Sequence, residues 1–259
     1  MNWFAYRLPH KSSICTGASE QTIQGIMPGG FAVSPFSQND FPTFTIPHAS
    51  DIIDWKPVSS ALFPKLSTTP SEHSDELEEI LRQIENGIIS KCIAATVLIE
   101  HGDFDLKSCF NRLCEAYPSA FVFAFSTSIT GTWIGASPEL LLKYNGGNIC
   151  TMSLAGTKPL KDTGNWDAKN IHEQKLVTDF ITETLTTKGI TPKVGELKTM
   201  SAGPVKHLCN IIEGNSKSWQ HATELALQLS PTPALCGFPR DEAKKLIKET
   251  EHFCRSYYG

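Results

Sequence analysis

The sequence predicts an α+β protein: a large, mainly antiparallel β core with peripheral helices. Three observations lead there. Strand-like segments come in a run, at residues 120–125, 131–135, 140–144 and 148–154, joined by short turns that include Asn145-Gly146-Gly147. Helical patterns also come in a run, at about residues 167–186, 218–229 and 241–250, without the strand–helix alternation of a parallel sheet. Finally, 259 residues at 40% hydrophobic and 19% charged can bury a sizeable core, which excludes a disordered or fibrous chain.

Each element has its own signal. Residues 1–70 are rich in Pro, Ser, Thr and Phe and read as a loop-rich N-terminal part of the fold, with a strand-like piece at residues 43–46 between Pro42 and Pro47. Leu66-Ser-Thr-Thr-Pro-Ser71 reads as a connector, so residues 71–259 form the core. An acidic helix follows at residues 74–85, with Leu77, Ile80, Leu81 and Ile84 at i, i+3, i+4 and i+7, and Asn86-Gly87 ends it. An apolar run at residues 88–99 is interrupted by Lys91. A second helix starts at an N-cap, Asp105, and places Leu106, Cys109, Phe110, Leu113, Cys114 and Tyr117 on one face before Pro118 stops it. No internal repeat or low-complexity tract is present.

Composition narrows the partners. With 23 Lys+Arg against 27 Asp+Glu, a net charge of -4 and a pI near 6.1, the chain has no electrostatic footprint for nucleic acid or an anionic membrane. The first residues lack a secretory pattern, and the longest apolar stretches are far too short to span a bilayer. The eight cysteines are scattered without CxxC or CxxxH spacing. Disulfides are one use for an even number; buried, reduced thiols are the other and suit a chain of this size, pointing to a cytoplasmic protein.

Five positions are chemically notable, each with two readings. Glu173 falls in the arc of Leu176, Val177 and Phe180, where a carboxylate needs either an ion pair or a hard divalent cation such as Mg²⁺. Glu139, after Ser137-Pro138 and before three leucines, is a turn carboxylate or a general acid with a raised pKa. Lys91, amid Ile88, Ile89, Cys92 and Ile93, is an edge-strand gatekeeper or a desolvated base. Ser153-Leu-Ala-Gly-Thr157 leaves its strand through a small-residue turn, which either only reverses the chain or offers donors to an anionic oxygen. His207 is a core histidine or a substrate contact.

Taken in order, these stretches resemble the chorismate-binding enzymes, the anthranilate synthase component I-like family. The resemblance runs through Lys91-Cys-Ile-Ala-Ala-Thr96, Gly135-Ala-Ser-Pro-Glu-Leu140, Leu154-Ala-Gly-Thr157 and Lys169-Asn-Ile-His-Glu-Gln-Lys-Leu-Val-Thr-Asp179. It continues in Val205-Lys-His-Leu208, Leu229-Ser-Pro-Thr-Pro-Ala-Leu-Cys-Gly-Phe-Pro-Arg240 and Glu251-His-Phe-Cys-Arg-Ser-Tyr-Tyr-Gly259. Within the family, anthranilate synthases usually carry Gln where Lys91 stands, and the aminodeoxychorismate synthases that work through a covalent lysine carry Lys where Ala155 stands. The chain therefore resembles the water-adding branch, and residues 231–239 resemble its isochorismate synthases most.

The resemblance implies a Mg²⁺-dependent isomerisation of chorismate to isochorismate, with no glutaminase subunit. Lys91 would deprotonate water, Glu139 would protonate the departing C4 hydroxyl, and Glu173 would hold Mg²⁺. Ala155, Gly156, Thr157 and His207 would contact substrate. The pathway implied is menaquinone or siderophore biosynthesis. The resemblance also implies that the chain is C-terminally incomplete, since relatives continue past the motif at Tyr257-Tyr-Gly259 with the last strands and helix, an Arg, a Lys and a second metal-binding Glu. Thr96 and Ser230 are smaller departures, where relatives often have Arg, and His or Gln. Two alternatives stand beside this reading: a truncated non-catalytic relative, and a salicylate synthase, which would release salicylate and pyruvate.

Overall fold

The computed structural model describes residues 1–258. In chain order the elements are β1 (Asn2–Arg7), β2 (Ile14–Ser19), β3 (Ile23–Gln24), β4 (Gly30–Val33), β5 (Phe44–Pro47), α1 (Pro70–Glu85), β6 (Lys91–Cys92) and α2 (Leu106–Ala116). There follow β7 (Phe121–Thr127), β8 (Gly131–Ser137), β9 (Lys143–Asn145), β10 (Asn148–Pro159), α3 (Ala168–Thr187), β11 (Lys193–Val194), β12 (Lys198–Ala202), β13 (Val205–Asn215), α4 (Trp219–Leu229), β14 (Gly237–Phe238) and α5 (Arg240–Thr250). Every strand pairing is antiparallel, and the class is α+β. The chain divides into two compact units.

One unit comprises Met1–Lys65, Ile99–Glu139 and Arg255–Tyr258. Its main sheet has the order β2-β1-β7-β8. Successive residues of a strand face opposite ways, so Trp3 and Ala5 join Val122 and Ala124 against Phe110 of α2. Phe4 and Phe125 turn to the other face, against Val33, Phe44 and Ile46 of the smaller sheet β3-β5-β4. With both faces covered, β1 (Asn-Trp-Phe-Ala-Tyr-Arg) shows no apolar–polar alternation, which is why residues 1–70 read as loop-rich although five strands lie there. Pairing of β7 with β1 also brings residues 99–139 into this unit, a division that differs from a boundary at residue 70. The Tyr257 hydroxyl donates to the Pro42 carbonyl at 2.9 Å.

The other unit comprises Leu66–Leu98 and Leu140–Cys254. Its sheet runs β11-β13-β10-β9, with β12 also on β13. Helix α3 lies on β10 and β13: Val177, Ile181 and Leu185 pack with Ile149, Ile212 and, from α4, Leu225 and Leu229. Gly146 and Gly147, both at positive φ, make the two-residue turn from β9 to β10. Residues 140–142, expected in a strand, lie outside β9, although the Leu141 carbonyl accepts from Thr151 Oγ1 at 2.6 Å. Helix α1 has a complete capping box between Thr69 and Glu72. Its expected apolar face is only partly covered: Ile80 is buried, whereas Leu77, Leu81 and Ile84 are exposed. None of the eight cysteines is in a disulfide; Cys209 and Cys236 are buried, Cys15 and Cys254 are exposed and the other four are half-buried, against the expectation of buried thiols.

Candidate active site

The candidate residues of the second unit fall in two groups. The first is built on a defect in the β10–β13 ladder. The register shifts between Ala155 and Thr157, leaving Gly156 as a bulge with φ +71°. A Cβ on Gly156 would stand 3.1 Å from both the backbone O and Oδ1 of Asn170, so glycine lets the first turn of α3 approach the strand. Residues 153–157 therefore do not leave their strand through a turn, as the sequence suggests; β10 continues to Pro159. Ala155 is buried in the core with Val177.

The Thr157 N–H donates to Asn170 Oδ1 at 3.0 Å and is thus committed within the fold. Across the ladder, His207 pairs with Thr157. Its Nδ1 lies 3.1 Å from the Gly156 carbonyl oxygen and 3.1 Å from Thr157 Oγ1. His207 is half-buried. Gly156, Thr157 and His207 thus form one cluster, and Asn170 completes it.

Glu173 stands one turn along α3 from Asn170. It is half-buried, and its carboxylate makes no hydrogen bond or ion pair among the described residues. The arc expected around it is shifted by one residue: the buried stripe is Gln174, Val177, Ile181 and Leu185. Gln174 Nε2 faces Ser153 Oγ at 3.0 Å, Thr178 Oγ1 at 2.9 Å and Asn210 Oδ1 at 2.5 Å. The buried polar side chain that needs partners is therefore Gln174, and it has them. Glu173 keeps both oxygens available, which suits one ligand of a Mg²⁺ whose shell is completed by substrate and water oxygens. Among the described residues no group of three or more His, Cys, Asp or Glu side chains could hold a metal.

The second group surrounds Lys91, which is 6% exposed. Its strand β6 pairs with β14, Lys91 opposite Phe238. Neighbouring Ile89 packs with Ile80 of α1 and Leu246 of α5, and Cys92 lies against the same cluster. Gly237 permits the close pairing, since a Cβ there would lie 2.3 Å from the Lys91 carbonyl oxygen. Lys91 is thus a buried ammonium-bearing residue on a short internal strand pair.

Glu139 belongs to the first unit, just past the end of β8. It is half-buried, and its N–H donates to Ser137 Oγ at 3.3 Å. Asn170, Gln174 and Asn210 were not singled out in the sequence. A polar residue within a helix period gives no apolar signal, and only the Asn at the third position of α3, after the N-cap Asp167, hinted at a local role.

An antiparallel α+β chain with a buried lysine and a bulged strand facing a helix N-terminus defines a recognisable class. Residues 53–259 match the family described as chorismate binding enzyme, and the chain belongs to that family. It is 28% identical over 215 residues to the vibriobactin-specific isochorismate synthase of Vibrio cholerae, covering 75% of this chain and 53% of that protein. It is 31% identical over 188 residues to the isochorismate synthase EntC of Escherichia coli K12, covering 68% of this chain and 47% of that protein. The chain thus spans about half the length of these relatives. The fold matches that of MenF, the menaquinone-specific isochorismate synthase from Escherichia coli, with a TM-score of 0.79 at 17% identity over 100% of this chain and 74% of that one. Anthranilate synthase component I from Streptococcus pneumoniae matches less closely, with a TM-score of 0.65 at 15% identity over 98% and 76%. No helix among the described residues is long and apolar enough to cross a membrane.

Proposed function

We propose that this chain is an isochorismate synthase, converting chorismate to isochorismate with Mg²⁺. The observation that carries the reading is the burial of Lys91, 6% exposed, which keeps an amine away from bulk solvent where a positioned base for a bound water is needed. The names of the Vibrio and Escherichia relatives favour the same reaction. Ala155 favours it too, since that position offers no amine to form a covalent adduct.

In the reaction Lys91 takes a proton from water, and the water oxygen bonds to C2 of the ring. The double bonds shift, the C4–O bond breaks, and Glu139 gives its proton to the departing hydroxyl, so that one water is added and one lost. Glu173 is the chain's ligand for Mg²⁺, which when bound neutralises a substrate carboxylate. His207 contacts the substrate through the nitrogen not engaged with Gly156. The test is incubation of the full chain with chorismate and Mg²⁺ and chromatography of the products. Isochorismate supports the reading; salicylate with pyruvate, or chorismate returned unchanged, overturns it.

A further inference from the structure

We propose that Asn170 is a positioning residue that sets the tautomer of His207, acting through the one peptide group that joins Gly156 to Thr157. The proposal deepens the reading of His207 as a substrate contact and rests on it only for the use made of the ring's second nitrogen.

A trans peptide is planar, with its N–H and C=O pointing in opposite directions. Here the N–H, that of Thr157, donates to Asn170 Oδ1 at 3.0 Å. The C=O, that of Gly156, lies 3.1 Å from His207 Nδ1. One rigid plane is therefore held by Asn170 on one edge and by the histidine on the other. A carbonyl oxygen only accepts, so Nδ1 carries the hydrogen and neutral His207 keeps a lone pair on Nε2. Thr157 Oγ1, at 3.1 Å, stands beside the same N–H.

Asn170 is itself oriented. Its Nδ2 donates to Asp167 Oδ1 at 2.9 Å, and its backbone N–H donates to the same oxygen at 2.8 Å. These bonds, the backbone one foremost, hold the Asp167 carboxyl below the usual carboxylate range, so it stays an ionised acceptor. An acceptor on that side obliges the amide to turn its oxygen toward Thr157. Gly156 supplies the last condition, because a Cβ would crowd Asn170. The order Asp167, Asn170, peptide, His207 leaves no orientation free. Its product is an acceptor at Nε2, suited to a hydroxyl or water donor of the ligand and unsuited to a carboxylate.

The experiment is long-range ¹H–¹⁵N NMR on the unliganded full chain with ¹⁵N-labelled histidine, His207 being assigned by its loss in His207→Gln. The expected result is a pyrrole-type shift at Nδ1 and a pyridine-type shift at Nε2, kept in Asn170→Asp, which retains an acceptor opposite the Thr157 N–H. In Asn170→Ala the two shifts should converge as the tautomers mix. Should Asn170→Ala unfold, Asp167→Gly removes the acceptor that orients the Asn170 amide and leaves it free to flip, and the same convergence is expected there. A hydrogen on Nε2 in the parent, mixing in Asn170→Asp, or an unchanged tautomer in the folded variant overturns the proposal. Since no substrate is present, failure of chorismate turnover bears on the reaction and not on this assignment.

Discussion

Glu173 and Gln174, neighbours on α3, sit in opposite environments. The Gln174 amide is 4% exposed and bound by side chains of Ser153, Thr178 and Asn210, whereas the half-buried Glu173 carboxylate has no protein partner among the described residues. A helix turns 100° per residue, so one step is enough to separate a side chain that fastens the helix to the sheet from one with no partner among the described residues. The separation makes stability and function independently testable at adjacent positions.

Gln174→Ala should lower unfolding stability by about 1–3 kcal/mol, because Asn210 Oδ1 and the Ser153 hydroxyl lose a buried partner. Gln174→Leu fills the volume yet leaves Asn210 Oδ1 without its donor, so it should destabilise too. Urea unfolding midpoints decide the matter. A Leu variant as stable as the parent would show the loss to be one of volume alone.

Glu173→Gln should change stability by no more than about 0.5 kcal/mol, as expected for a group without partners among the described residues. Thermal shifts with chorismate and Mg²⁺ should nevertheless separate the two proteins. The parent gains stability with rising Mg²⁺ and the variant does not. An equal Mg²⁺ response would remove Glu173 from the metal site.

The helices were legible because their signals are local. Asp105 and Asp167 precede α2 and α3, and Pro118 and Asn86 follow α2 and α1. What escaped the sequence depends on residues distant along the chain. The two-sided burial of β1 comes from α2 on one side and β5 on the other. The arc on α3 was misplaced by one residue because a glutamine satisfied by Asn210, 36 residues away, counts as polar in any periodicity. Lys91, Glu139, Glu173 and His207 stood out as residues whose chemistry conflicts with their neighbours. The Gly156 bulge did not, since an Ala-Gly-Thr sequence serves turns and bulges alike.

Thr69→Ala should cost about 1 kcal/mol by removing the cap of α1. A pH effect accompanies it. The Thr69 backbone N–H first, and its hydroxyl second, hold the Glu72 carboxyl below the usual range. A carboxyl with a lowered folded pKa contributes stability that is present above the unfolded pKa and is lost as pH falls through the folded one. The acid limb of the stability profile should therefore flatten in Glu72→Gln, and an unchanged limb would assign that limb to other carboxylates.

Gly237→Ala tests the enclosure of Lys91. The new Cβ would lie 2.3 Å from the Lys91 carbonyl oxygen and 2.7 Å from the Ala243 Cβ, at φ +146°. Neither neighbour is a flexible side-chain end, so β6 and β14 must separate, at a cost of about 2–4 kcal/mol from overpacking and backbone strain. Gly87→Ala, also at positive φ but in open space, should cost about 1–2 kcal/mol. Thermal melts of the two variants give the comparison, and equal losses would mean that β14 yields without strain.

Lys91→Gln bears most directly on the chemistry. Glutamine keeps much of the length and polarity of the side chain but cannot take a proton from water at neutral pH. If Lys91 is the base, product formation should fall by about 10²–10⁴-fold, the usual contribution of a positioned general base. Calorimetric binding of chorismate should survive, because Gly156, Thr157 and His207 lie on β10 and β13 and not on β6. Loss of turnover with binding retained assigns the proton transfer to Lys91. Loss of both would make Lys91 a substrate-binding or structural cation, and unchanged turnover would require the base to be sought elsewhere.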